Sequence, residues 1–240
     1  MRILQTILIM MTALSACAKK AEVHATNNDT VVHSQPVTDS ITYLALGDSY
    51  TVGEAEPPAE SFPYQLRAAL RANTYECATP YIIATTGWTT DDLIAAIASS
   101  SINNKKYDFV TLLIGVNDQY QGLSQENYKV KFAQVLNTAI NFAEGDSTRV
   151  FVLSIPDWGV TPYAAGQDSI IGPQIDQFNA INKAISLAAG VNYLDITAIS
   201  REAATDPTLV APDGLHPSAK MYALWVNLLE PMVRARLKKN

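Results

Sequence analysis

The stretch GDSYT, Gly47 to Thr51, ends an apolar run with an aspartate and a serine. A serine hydroxyl is a poor nucleophile until a base takes its proton. A candidate for that base stands far along the chain in APDGLHP, where Asp213 precedes His216 by three residues. A carboxylate at that spacing on a Gly-containing turn can reach the distal ring nitrogen, fix the tautomer and stabilise the imidazolium. Of the three histidines, the other two, His24 and His33, fall in a polar N-terminal stretch. A nucleophile, a base and an orienting carboxylate could together carry acyl transfer. Each also has an ordinary reading, since Gly, Asp and Ser close strand-to-helix turns and cap helices. A histidine just before a helix can likewise be a surface cap.

Residues so far apart meet only if the chain brings them to one place. At 240 residues, 48% hydrophobic and 17% charged, the sequence suits one large core, and residues 41–240 read as one domain. Short β-branched runs alternate there with helical patterns, the rhythm of a parallel sheet covered on both faces. The pattern predicts strands over Ile41 to Leu46, Tyr81 to Thr85, Phe109 to Gly115, Val150 to Ile155 and Val191 to Ile196. All are near-continuous apolar runs, as strands buried on both faces must be. Phe62, Leu66 and Leu70 follow Ser61, a predicted N-cap, with Pro63 in the first turn of a helix. Tyr128, Phe132, Val135, Leu136, Ala139 and Phe142 stripe a second helix, and Ile175, Phe178, Ile181 and Ile185 a third. Leu93, Ile94 and Ile97 mark a shorter helix after the second strand. Met221, Leu224, Trp225, Leu228 and Leu229 mark the last, which Pro231 is expected to kink or end. These stripes read as core, and no internal repeat is visible.

Ligands of such open sheets bind beyond the carboxyl ends of the strands. In order, those ends are GDSYT, TTGWTT, IGVND and SIPDWG, with APDGLHP before the last helix. A serine, then a glycine, then an asparagine, then Asp-x-x-His in these positions resemble the GDSL/SGNH hydrolase family, over essentially the whole chain from Ile41. The resemblance implies an α/β fold of the flavodoxin-like kind, a three-layer α/β/α sandwich around a five-stranded parallel sheet. It implies Ser49 as nucleophile, His216 as general base and Asp213 as its orienting carboxylate. It also implies an oxyanion hole from the Ser49 and Gly87 backbone N–H groups and the Asn117 side-chain amide. Glycine at 87 would let backbone approach a ligand closely, and Asn117 offers a donor where ionised Asp118 could only accept. Glycine and asparagine are equally ordinary turn residues. Asp48 reads as a buried or capping carboxylate that holds the nucleophile turn, with a similar structural part for Asp118. The two carboxylates could suggest a glycosidase, but nothing else for sugar hydrolysis accompanies them. His216 has no second histidine in the domain and Cys77 no cysteine partner, so zinc spacing is absent, and GDSYTVG lacks the P-loop lysine. Neither metal nor cofactor is expected, and Cys77 reads as a small buried hydrophobe.

The net charge of −6 leaves no basic field for a polyanion, which argues against nucleic acid as a partner. The start MRILQTILIMMTALSAC has one basic residue and then an apolar run to Ala16, short of a membrane span. It reads as an export signal over residues 1–16. Leu14-Ser15-Ala16-Cys17 resembles the bacterial lipobox, which makes Cys17 the expected site of lipidation. An ordinary cleaved signal with a coincidental cysteine is the alternative. Residues 17–40 read as a flexible polar tether. The expected location is extracytoplasmic and membrane-anchored, at the outer membrane or a periplasm-facing membrane. The loops flanking the expected site run from Thr51 to Pro63, Trp88 to Asp92, Gln119 to Ser124 and Asp157 to Pro173. They bring Trp88, Tyr120 and Trp158 as candidate substrate contacts, with Tyr163, Glu54 and Glu56 nearby; aromatics there also serve as loop anchors. The acidic residues disfavour an anionic head group, and the family resemblance implies broad, often small-ester activity in a shallow site. The expected function is an exported esterase for small-molecule, lipid or acetylated-glycan esters. A silent surface lipoprotein using the same cleft to bind a glycan or lipid, and an acyltransferase to a sugar, are the alternatives.

Overall fold

The computed structural model describes residues 40–237. The export signal, Cys17 and nearly all of the tether, with His24 and His33, lie outside the described residues. Strands β1 (Tyr43–Gly47), β2 (Tyr81–Ala84), β3 (Phe109–Leu113), β4 (Val150–Leu153) and β5 (Asn192–Leu194) form one sheet in the order β2-β1-β3-β4-β5. Every pair is parallel, with Leu46 beside Ile83 on one side and Leu112 on the other. In this order the direction in which successive strands are added reverses between β1 and β3, the switch point where open α/β sheets leave a crevice.

β1, β3 and β4 are buried along their whole length, as continuous apolar strands must be. The two edge strands depart from the expectation: Tyr81 at the start of β2 is exposed, and Asn192 and Tyr193 of β5 are half-buried, because each edge lacks a neighbour on one side. The strands are also shorter than their apolar runs. β4 stops at Leu153 because the Ile155 backbone bonds to a side chain instead of another strand. Its N–H donates to Asn179 Oδ1 at 2.8 Å, and its carbonyl accepts from Asn179 Nδ2 at 2.9 Å.

Eight α-helices lie among the described residues: α1 (Ser49–Val52), α2 (Phe62–Ala72), α3 (Thr90–Ser99), α4 (Val116–Tyr120), α5 (Gln125–Phe142), α6 (Asp168–Ala188), α7 (Thr197–Arg201) and α8 (Ala219–Arg234). α2 packs on α8, while α3, α5 and α6 pack in a row, giving the two outer layers of a three-layer α/β/α sandwich. Between α2 and α8, Phe62, Tyr222 and Trp225 meet at ring separations of 5.0 to 6.4 Å, and all three are fully buried. Burying such rings contributes about 1.5–3 kcal/mol each, the main force closing that layer. The predicted stripe of α5 is buried throughout, and Cys77 is buried and free.

Five helical details differ from the pattern. Ser61 precedes α2, but its hydroxyl donates to the Pro58 carbonyl at 2.9 Å instead of capping the helix. α6 starts at Asp168, so the loop after β4 is shorter than expected and Pro173 lies inside the helix. On α6 the deeply buried positions after Phe178 are Asn179, Asn182 and Ser186, with Ile181 and Ile185 only half-buried. Asn182 is satisfied there by the Tyr128 and Tyr193 hydroxyls at 3.2 and 2.7 Å, so a polar residue can occupy the face. α8 does not end at Pro231 but runs to Arg234, since Pro231 and Asn227 are both exposed and water can reach the carbonyl that loses its bond. On the same helix Leu228 is exposed. No helix among the described residues is long and apolar enough to cross a membrane.

Candidate active site

Asp48 leaves β1 and caps the single turn of α1, its Oδ1 accepting from the Tyr50 N–H at 3.0 Å. Ser49 is the first residue of that turn and is buried to 4% exposure. Asp48 itself is fully buried, and its Oδ2 has no partner among the described residues. Burial pushes its carboxyl up to about 8; the Tyr50 N–H opposes the rise and the charge of Asp118 adds to it. A carboxyl that neutral suits a support and not a proton acceptor.

The loop before α8 brings His216 to the serine. Asp213 Oδ1 accepts the N–H groups of Leu215 and His216 at 2.9 and 3.0 Å, which folds the loop back on itself. Its Oδ2 is 2.6 Å from His216 Nδ1, and His216 Nε2 is 3.0 Å from Ser49 Oγ. The Asp213 carboxyl sits below its ordinary range: partial burial would raise it, but the His216 ring, the two backbone donors and the histidine charge outweigh that. An ionised Asp213 accepts from Nδ1–H, which leaves Nε2 with the lone pair that faces the serine hydroxyl. The Tyr50 ring stands edge-on to the imidazole at 5.6 Å. This arrangement can deprotonate Ser49 as it attacks.

Gly87 and Asn117 line one cleft with Ser49 and His216. At Gly87 a side chain would meet open space, so crowding does not require glycine in the structure as it stands; a φ of +85° does. Asn117 lies in the first turn of α4, which begins after Gly115 at φ +127°. Its Nδ2 donates to the Trp88 carbonyl at 2.9 Å, which takes up one of two amide protons and leaves the other for a ligand. Asp118 accepts from the Thr90 N–H and hydroxyl at 2.9 and 3.0 Å and so ties α4 to the start of α3. Burial raises its carboxyl, with the Thr90 bonds opposing. The segments carrying Gly87 and Asn117 are therefore cross-linked.

The cleft is open and holds about 150 Å³. Tyr120 and Trp158 line it, together with Tyr163, while Trp88 does not; the Trp88 indole is half-buried against the core. Tyr50, Val116, Leu215 and Thr86 complete the lining. They were not picked out from the sequence, although each is adjacent to a residue that was. Glu54 lies outside the lining but accepts a bond from the Thr86 hydroxyl, and Glu56 has no part in the cleft. Among the described residues no cluster of His, Cys, Asp or Glu could hold a metal ion.

The family model described as GDSL-like lipase/acylhydrolase matches residues 45–224. No curated protein sequence matches the chain. Among solved structures, a lipase/acylhydrolase from Enterococcus faecalis is 18% identical, with a TM-score of 0.67, covering 83% of this chain and 98% of that one. A variant of Axe2, an acetyl xylan esterase from Geobacillus stearothermophilus, is 19% identical, with a TM-score of 0.62 and coverage of 83% and 97%. The esterase EstA from Pseudoalteromonas sp., solved with monoethylphosphonate as inhibitor, is 15% identical, with a TM-score of 0.62 and coverage of 81% and 97%. These likenesses show a shared fold.

Proposed function

This chain belongs to the GDSL-like lipase/acylhydrolase family of ester hydrolases, and from that premise we propose that it is an exported serine esterase acting on short-chain carboxylic esters through an acyl-enzyme on Ser49. One observation carries the reading: the unbroken line from Asp213 Oδ2 to His216 Nδ1 at 2.6 Å and from His216 Nε2 to Ser49 Oγ at 3.0 Å. Ser49 Oγ attacks the ester carbonyl carbon while its proton passes to His216 Nε2. The carbonyl oxygen becomes negative and faces the Ser49 and Gly87 N–H groups and the free Asn117 amide proton. Collapse of the tetrahedral species breaks the bond to the alcohol oxygen, which takes the proton back from His216. Water then attacks the acyl-enzyme carbonyl, gives its proton to His216, and the acid leaves as Ser49 recovers its hydrogen. Asp213 stays ionised throughout and steadies the imidazolium.

The short acyl preference follows from the volume. About 150 Å³, little more than a benzene-sized group fills, is shared between the acyl group and the start of the alcohol, so a longer acyl chain would lie on the open surface with much of its apolar area still in water. Export through the N-terminal signal, with Cys17 as lipid anchor and an extracytoplasmic location, completes the proposal.

The test is covalent labelling. A fluorophosphonate should modify Ser49 in the full chain and leave Ser49→Ala unlabelled, and 4-nitrophenyl acetate turnover should fall by at least about 10³-fold in that variant. Absence of an adduct under conditions that label other serine esterases would overturn the mechanism.

A further inference from the structure

Resting on that esterase reading, we infer that Trp158, Tyr163 and Tyr120 form an alcohol-side subsite selective for a neutral, polyhydroxylated ring, so that the leaving group is a sugar hydroxyl. His216 must return its proton to the departing alkoxide, so the alcohol oxygen has to lie within hydrogen-bond reach of Nε2. The carbonyl oxygen must at the same time face Gly87 and Asn117. The alcohol therefore lies on the His216 side of the cleft.

Trp158 and Tyr163 stand on that side, and Tyr120 of α4 is joined to it through the Tyr163 hydroxyl. The Tyr163 N–H donates to the carbonyl of Gly214, two residues before His216, at 2.9 Å, which pins the segment after β4 to the catalytic loop. Trp158 donates through Nε1 to Gln119 Oε1 at 2.8 Å, and Gln119 in turn donates to Gln174 at 2.7 Å, so the indole has a fixed orientation. Tyr120 and Tyr163 pack at 5.5 and 6.1 Å from Trp158 and are each about half exposed at the mouth. Their hydroxyls bond to each other at 3.1 Å across two separate segments of chain.

Such a wall offers ring area to the C–H face of a pyranose and two phenol hydroxyls that can donate to or accept from its hydroxyl groups. A simple alkyl alcohol would use the area alone and leave the two hydroxyls paired with each other. No lysine or arginine is among the residues lining the cleft, so a phosphorylated alcohol finds no partner there. Neutral sugar esters remain as the class that engages every group present.

The experiment holds the acyl group constant and varies the alcohol. Acetate release by the full chain is measured for mono-O-acetylated methyl xylopyranoside and for propyl acetate, and the ratio of the two kcat/KM values is the readout. The wild type should favour the sugar acetate by at least about tenfold, and Tyr120→Phe combined with Tyr163→Phe, which keeps both rings, should lower the ratio about tenfold. A wild-type ratio near one, or a ratio that the double variant leaves unmoved, overturns this inference alone. Failure to cleave either acetate, with no fluorophosphonate adduct on Ser49, overturns the esterase reading and this inference with it.

Discussion

Asp48 adjoins the proposed nucleophile, yet one of its oxygens is engaged by the Tyr50 N–H and the other faces no partner in a fully buried site. Its folded carboxyl, at about 8, lies above the ordinary 3.8 of an unfolded chain. The native state thus keeps a proton that the unfolded state has already lost. The associated stability is fully present below the unfolded value and declines as pH climbs toward 8, by up to about 1.4 kcal/mol per pH unit, then levels off. Asp48→Asn preserves the shape and the neutral form, so thermal melts should show its Tm declining less between pH 5 and 8 than the wild type does. Parallel Tm curves would mean that Asp48 is ionised in the fold. At this scale the sequence was informative about chemistry and weak about direction. Ser49, Asp213 and His216 could be picked by type because acyl transfer needs those functional groups. Trp88 could not be placed: it directly follows Gly87, but its rotamer sends the indole to the core and only its backbone toward Asn117.

α4 is five residues long, too short to be held by its own hydrogen bonds, and it carries Asn117. Gly115 gives it its start. A methyl group there would lie 2.6 Å from the Tyr128 hydroxyl, and the φ of +127° is one that L residues rarely adopt. Tyr128 cannot yield easily, because its hydroxyl donates to the Ile114 carbonyl at 3.1 Å and accepts from Asn182 at 3.2 Å. Gly115→Ala is expected to cost about 2 kcal/mol or more and to lower the Tm by roughly 4–8 °C. Since α4 would shift with it, kcat on 4-nitrophenyl acetate should fall as well. An unchanged Tm with unchanged kcat would show that the turn tolerates a side chain. Strand and long-helix positions were legible because continuous apolar runs and a period of 3.6 are local properties of the chain. α4 and α7 were not, since helices of one turn leave no period to read. Asn179 and Asn182 were missed as interior positions because their burial depends on partners from other elements.

The order β2-β1-β3-β4-β5 gathers four strand ends and the loop before α8 around one crevice, and the long crossovers leave the cleft wall to the segments after β3 and β4. For the chain as a whole, the proposed lipid anchor at Cys17 predicts that the expressed protein sediments with membranes and that Cys17→Ser moves it to the soluble fraction. Retention of the serine variant on membranes would discredit the anchor. The sequence alone determined the alternation of strands and helices, and the Asp213–His216 pair, because both rest on short-range spacing that a few residues specify. Only the tertiary structure decided that His216 Nε2 lies 3.0 Å from a serine 167 positions away, and that Tyr163 rests against the loop that carries His216. The physical reason is that those meetings depend on strand order and side-chain direction, which are settled when distant surfaces bury one another and have no signature in the neighbouring residues.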